Sequence, residues 1–333
     1  MPSISIIRAS NAAIHSSYPP VAVFVGGTSG IGKAMVERFA RFTNGNSSII
    51  IVGRNRAAAE TIFASIPSAE TSAREFIQCD ATLMSNVHTA CQEILSRYDK
   101  INYLILSPGV LSLKGRDDTT EGIDKKLAVH YYARWRFIYD LLPSLERAKE
   151  AGEEAKILSV LAAGKGGEID VDDLGLKKSF SLPNAAMAAP TYTDLMMEVI
   201  IFSLIRQHYL LYSSIQSYTS LHPKLSFVHA YPGFVRTPIA SSSSSTLLSL
   251  AAPLINGLMY PFMISAEDCA EYMWHALFTA KDGFSRWNQK GDDIGMNRYF
   301  GNEAQRQKLW EHTKETTRVK GDTDWSINLF ISY

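Results

Sequence analysis

Six short runs of apolar, mostly β-branched residues punctuate the chain, at positions 21–25, 49–52, 76–79, 103–106, 157–161 and 227–230. Each has the length of a strand. Each is also continuous rather than alternating, the pattern of strands covered on both faces. Between them apolar residues recur every fourth position, as in Ile31, Met35 and Phe39 or Leu127, Tyr131 and Trp135, the period of helices lying on a sheet. Strands that alternate with helices call for right-handed parallel crossovers. The predicted fold class is therefore α/β, a doubly wound parallel sheet forming a single domain over residues 21–300. Residues 1–20 read as a lead-in, and residues 301–333 as a C-terminal extension.

One stretch departs from this pattern. Residues 247–264 carry no charge and are rich in Leu, Ile, Met and Phe, but Pro253, Gly257 and Pro261 interrupt them. A bilayer-spanning helix needs about 20 apolar residues without such breaks, so the stretch reads as a substrate lid, spanning 238–265, rather than an anchor. The serines at 241–245 supply its hinge. A long helix is expected over 120–142, and another over 200–218, either of which offers a face for a homodimer.

Composition narrows the class of partner. The 33 basic and 33 acidic residues cancel, so the chain has no net field to gather nucleic acid or an anionic membrane. With 46% hydrophobic and 20% charged residues, it is an ordinary globular composition that suits a lipophilic small-molecule ligand. Cys79, Cys91 and Cys269 are too few and too scattered for a zinc site, so no metal is expected. Unpaired thiols fit a cytoplasmic location.

The first strand runs into Gly26, Gly27, Thr28, Ser29, Gly30, Ile31 and Gly32, followed by a helical pattern. Glycines here let the backbone turn tightly and approach a pyrophosphate, whose charge is met by the free N–H groups and positive dipole of the helix start. The second strand ends in Gly53 and Arg54. A guanidinium at that place pairs with a ribose 2′-phosphate, which points to NADP(H) rather than NAD(H). Asp80, after the third strand, is placed to accept from an adenine amino group or to cap the next helix.

These features resemble the short-chain dehydrogenases/reductases, whose nucleotide-binding unit is a Rossmann fold. Gly26, Gly30 and Gly32 are similar to the family's TGxxxGxG spacing, with Val25 in place of Thr, and Asp80 stands where the family has its adenine-site Asp. Gly109 is retained from the NNAG segment. Pro232, Gly233, Val235 and Thr237 resemble the PGxVxT segment, whose Thr faces the nicotinamide carboxamide. The stretch at 290–295 is similar to fungal members associated with secondary metabolism.

The resemblance also implies a catalytic set, and there the chain departs from it. Tyr192 lies where the proton-carrying tyrosine of a YxxxK motif is expected, but position 196 is Met rather than Lys, and a thioether cannot stabilise a phenolate. At the catalytic serine, an ungapped match places Ala162, whereas a shift of three residues places Ser159. The position of the family's Asn is taken by His130, which reads either as a general acid or base near neutrality or as a hydrogen-bonded structural histidine. Lys165, Lys177 and Lys178, in the long segment before Tyr192, are possible substitute cations. Three functions fit this set: an NADP(H)-dependent oxidoreductase acting on a carbonyl or alcohol of a lipophilic metabolite, a redox-neutral cyclase, isomerase or dehydratase on the same scaffold, and an NADP-binding sensor without catalysis.

Overall fold

A computed structural model describes residues 2–212, 225–239, 260–320 and 322. Seven parallel strands form one sheet in the order β3-β2-β1-β4-β5-β6-β7: β1 Val21–Val25, β2 Ser48–Gly53, β3 Arg74–Gln78, β4 Tyr103–Leu106, β5 Lys156–Val160, β6 Ser226–Ala230 and β7 Gly283–Trp287. The reversal of strand order beside β1 makes this the doubly wound sheet expected, with its ligand crevice at the carboxyl ends of the strands.

The continuous apolar runs have the reason anticipated for them. In β1, Val23 and Val25 enter one core and Ala22 and Phe24 the other, so every second side chain serves a different face. Helices α2 (Gly30–Phe42), α3 (Arg56–Ser65) and α8 (Ala266–Thr279) cover one face, with Trp274 stacked on Phe39 at 5.1 Å between ring centroids. On the other face lie α4 (Met84–Leu95), α6 (Ala133–Glu150) and α7 (Leu182–Tyr212).

A single helical turn α5 (Lys125–Leu127), capped by the Asp124 carboxylate, leads through a π turn at Ala128–Tyr132 into α6. The long helix expected over 120–142 thus starts later and continues to Glu150, with Pro143 inside it.

Three elements were not anticipated. The lead-in contains α1 (Ile4–Ala12), docked to α8 by the Asn11 amide, which donates to Glu271 O at 2.9 Å and Oε2 at 2.8 Å. β7 escaped notice because its Ser285 and Arg286 break the apolar run. In the C-terminal extension, α9 (Glu303–Thr316) packs over the π turn. Tyr131 Oη lies 2.6 Å from Thr313 Oγ1, Tyr132 Oη lies 2.7 Å from His312 Nε2, and Trp310 meets Trp135 edge-on. Beyond α9, Asp322 pairs with the Arg136 guanidinium, which also binds Asp140 and His88, so that acidic cluster already holds a cation.

Most of the proposed lid at 238–265 and of the helix at 200–218 beyond Tyr212 lies outside the described residues. Among the described residues no helix is long and apolar enough to cross a membrane. The three cysteines are free and buried.

Candidate active site

A cleft of about 690 Å³ opens at the carboxyl ends of β1, β2 and β4. Its walls bring together Gly26, Thr28, Ser29, Gly30, Ile31 and Gly32 from the first turn, Arg54 from β2, Asp80 after β3, Gly109 after β4 and Thr237 after β6. Pro232, Gly233 and Val235 are not among the wall residues. Val235 instead bridges to Ile264, which fixes the turn that delivers Thr237 to the wall.

The glycines are required by space and by backbone. Gly26 has φ +82°, and a Cβ there would come within 2.8 Å of Pro108 N. A Cβ on Gly32 would run into the Gly26 carbonyl and approach Ser107 Oγ to 2.5 Å. Helix α2 can therefore start hard against the end of β1. Its N-cap, Ser29, makes no side-chain capping bond, which leaves the first N–H groups of the helix unclaimed by that side chain and directed at the cleft.

At the far end of the cleft Arg54 is exposed and forms no ion pair among the described residues. Asp80 accepts from Thr82 N at 3.0 Å in a local turn, but it does not cap α4, whose first N–H groups at Met84 and Ser85 donate to the Glu121 carboxylate.

The expected catalytic residues are not brought together in this way. Tyr192 is fully buried in the core, its ring 5.1 Å from that of Tyr131 and its hydroxyl donating to Leu174 O at 3.0 Å. Burial raises its pKa further above the ordinary tyrosine value. Its hydroxyl is buried and committed to a core carbonyl, so its expected role as the proton carrier is corrected to a core role. Met196 is buried beside it in the same core.

Ser159 is also fully buried, facing inward from β5, where its hydroxyl accepts from Arg134 Nη1 at 2.7 Å. It too is withdrawn from the cleft. Ala162 lies just past the strand, as the ungapped match requires.

His130 sits in the π turn behind Gly109, its Nε2 accepting from Val110 N at 3.2 Å. Burial, reinforced by the Arg134 charge, pushes its pKa down to about 4. The imidazole is therefore neutral at physiological pH, and it holds the cleft wall rather than donating a proton.

Two buried polar groupings went unseen in the sequence because their partners lie far apart along the chain. Arg134 has no acidic partner among the described residues and instead donates to Leu106 O, Val160 O, Pro108 O and Ser159, tying the ends of β4 and β5 beneath the cleft. Beside it, His229 Nδ1 lies 2.6 Å from Asp194 Oδ1 while its Nε2 accepts from Ala162 N at 3.2 Å. Arg286 closes this group with an ion pair to Asp194 at 3.0 Å.

A family model described as short chain dehydrogenase matches residues 20–167. The chain is 38% identical over 264 residues to Oxidoreductase AN1596 of Emericella nidulans, covering 79% of this chain and 72% of that one. The chain belongs to the short-chain dehydrogenase family. By that membership it is an oxidoreductase of the Rossmann type.

Other relatives of this short-chain dehydrogenase include Oxidoreductase andH of Emericella variicolor, 33% identical over 87% of this chain and 80% of that one. Human polyprenol dehydrogenase is 27% identical over 51% of this chain and 52% of its own. Among solved structures, a 3-ketoacyl-(acyl-carrier-protein) reductase from Brucella melitensis complexed with NADH superposes with a TM-score of 0.55 at 18% identity. It covers 85% of this chain and 100% of that one, which establishes the shared fold.

Proposed function

We propose that this short-chain dehydrogenase binds NADP(H) in the glycine-walled cleft and interconverts a carbonyl and an alcohol on a lipophilic metabolite. The observation that carries the reading is the conjunction, in the walls of one cleft, of the Gly26–Gly30–Gly32 turn with Arg54, which has no ion pair among the described residues. The α2 start would hold the pyrophosphate, Arg54 the 2′-phosphate, Asp80 the adenine and Thr237 the nicotinamide end. When bound, that group supplies or accepts the hydride, and the chain must position the substrate and move a proton.

Lipophilic substrates are favoured by the apolar side chains exposed on the loops after β4 and β6. Leu113 is 50% exposed, Phe234 61%, and Tyr260 and Phe262, which flank the Val235 bridge, 58% and 73%. Exposed apolar side chains of this kind suit a ligand that is itself apolar. A relative named for such an alcohol, polyprenol dehydrogenase, points the same way. A location in the cytoplasm goes with this reading.

The cofactor choice is tested by titrating NADPH and NADH against Arg54→Ala. A charge-assisted pair is worth roughly 1.5–3 kcal/mol, so NADPH affinity should fall about 10-fold or more while NADH affinity holds. Equal losses would make Arg54 a plain surface charge.

A redox-neutral conversion on the same scaffold is the second reading, favoured by the withdrawal of Tyr192 into the core. Product formed without any change in nicotinamide absorbance would select it.

A further inference from the structure

With Tyr192 and Ser159 turned inward and His130 neutral, the cleft lacks its expected proton carrier, and the ends of β5 and β6 hold another. We propose that Tyr231 carries the proton and that Lys165 is its cationic partner, which rests on the reductase reading above for its chemistry.

Tyr231 directly follows β6. Its N–H donates to Trp287 O at 2.9 Å, so the backbone is held in the ladder up to the Pro232–Gly233 turn. In the pleat's alternation it comes two residues after His229, which bonds to Asp194 on α7, so its side chain belongs on the α7 face. The ring is half-buried, and its hydroxyl has no hydrogen-bond partner among the described residues. A half-buried phenol that no protein group satisfies is where a ligand oxygen can bind.

Lys165 reaches it from the loop after β5. That loop is fastened to the same edge by Leu161 N donating to Ala230 O at 2.9 Å and Ala162 N donating to His229 Nε2. The Lys165 ammonium stands 5.1 Å from the Tyr231 ring centroid and has no carboxylate partner among the described residues. The missing lysine at position 196 is thereby replaced in charge, though from another element.

Neither Tyr231 nor Lys165 is among the wall residues of the cleft, but both sit at the ends of the strands next to it. Pro108–Val110, at the end of β4, form its wall, and adjacent strands are spaced about 4.8 Å apart. The end of β6 is two strands over, roughly 10 Å away. A substrate reaching from the nicotinamide end across β5 would meet the pair. Thr237, six residues beyond Tyr231, closes the same cleft.

In reduction, hydride delivered from bound NADPH would add to the carbonyl carbon and the C=O π pair would move to oxygen. That oxygen takes the proton of the Tyr231 hydroxyl, so one O–H bond breaks as another forms. The phenolate left beside Lys165 then regains a proton from water. Oxidation of the alcohol runs the same transfers backward. Burial raises the Tyr231 pKa, which keeps the hydroxyl protonated and ready to donate at neutral pH.

The test uses the full-length protein, Tyr231→Phe and Lys165→Met, with two readouts. In an ultraviolet difference titration, wild type minus Tyr231→Phe isolates the ionisation of Tyr231. The same subtraction in the Lys165→Met background, with the double variant, should place that ionisation at higher pH once the cation over the ring is gone, and a curve unmoved by Lys165→Met overturns the pairing.

In the second readout, NADPH and a panel of lipophilic ketones are the probes. Tyr231→Phe should lose about 100-fold or more in kcat while its NADPH affinity stays within about twofold. Undiminished kcat in Tyr231→Phe overturns the proton-carrier role. A wild type that reduces no ketone in the panel strikes at the reductase reading, while the titration still decides the pair.

Discussion

The two ends of the crevice follow different rules. On the β1–β2 side, function is carried by backbone, in glycine turns and a helix start, with a single guanidinium added at the rim. On the β4–β6 side it depends on which way individual side chains point, and Tyr192, Ser159 and His130 each point at protein. A site built from backbone persists while local geometry persists. A site built from side chains can move from one strand to the next without disturbing the fold.

The backbone-built end is most sensitive at Gly32. Substitution by Ala places a Cβ against the Gly26 carbonyl, so α2 must shift away from β1. NADPH affinity should drop about 100-fold or more, a loss near 3 kcal/mol by the usual tenfold per 1.4 kcal/mol, read by fluorescence titration. Retained affinity would mean that the turn is not the phosphate seat.

Arg134→Met tests the other half by leaving four acceptors beneath the cleft unpaired. Denaturant unfolding should show a loss of roughly 2–4 kcal/mol, and a loss below about 0.5 kcal/mol would deny that the guanidinium ties β4 to β5.

For His130, the native pKa is pushed down to about 4, whereas the unfolded chain titrates near the ordinary 6.5. Between those values the unfolded state binds more protons, so stability contributed by the neutral ring is present above about 6.5 and is lost as pH falls toward 4. His130→Asn should flatten that acid slope. A wild type and variant with parallel slopes would show that the ring titrates normally.

The smallest effect is expected at Tyr192. Removing one hydrogen bond to Leu174 should cost about 1 kcal/mol in unfolding and leave kcat within about twofold. A large drop in kcat would return Tyr192 to the chemistry.

What could be read from the sequence follows the same division. Runs such as Ala22–Val25 were legible as buried strands because both faces demand apolar residues, while β7 was not, because Arg286 satisfies its charge on Asp194 and on the carbonyls of Gly295, Asn297 and Arg298. Gly26, Gly30 and Gly32 announce a tight turn by composition alone. Tyr192 announces a position but not a direction, since one hydrogen bond to a loop carbonyl decides which way the phenol is used. Tyr231 precedes a Pro-Gly pair and carries no pattern of its own. Lys165 was one of three candidate cations, and only the path of the β5 loop separates it from Lys177 and Lys178, whose N–H groups cap Asp173.

The π turn at Ala128–Tyr132 has a further consequence. Its five residues face two ways: His130 holds the cleft wall at Val110, while Tyr131 and Tyr132 hang on Thr313 and His312 of α9. The C-terminal helix and the ligand cleft thus share one short piece of backbone. Variation at His312 or Thr313 acts on the cleft from the outside of the molecule, and a library aimed at new substrates gains by sampling those two positions alongside the residues that face the ligand.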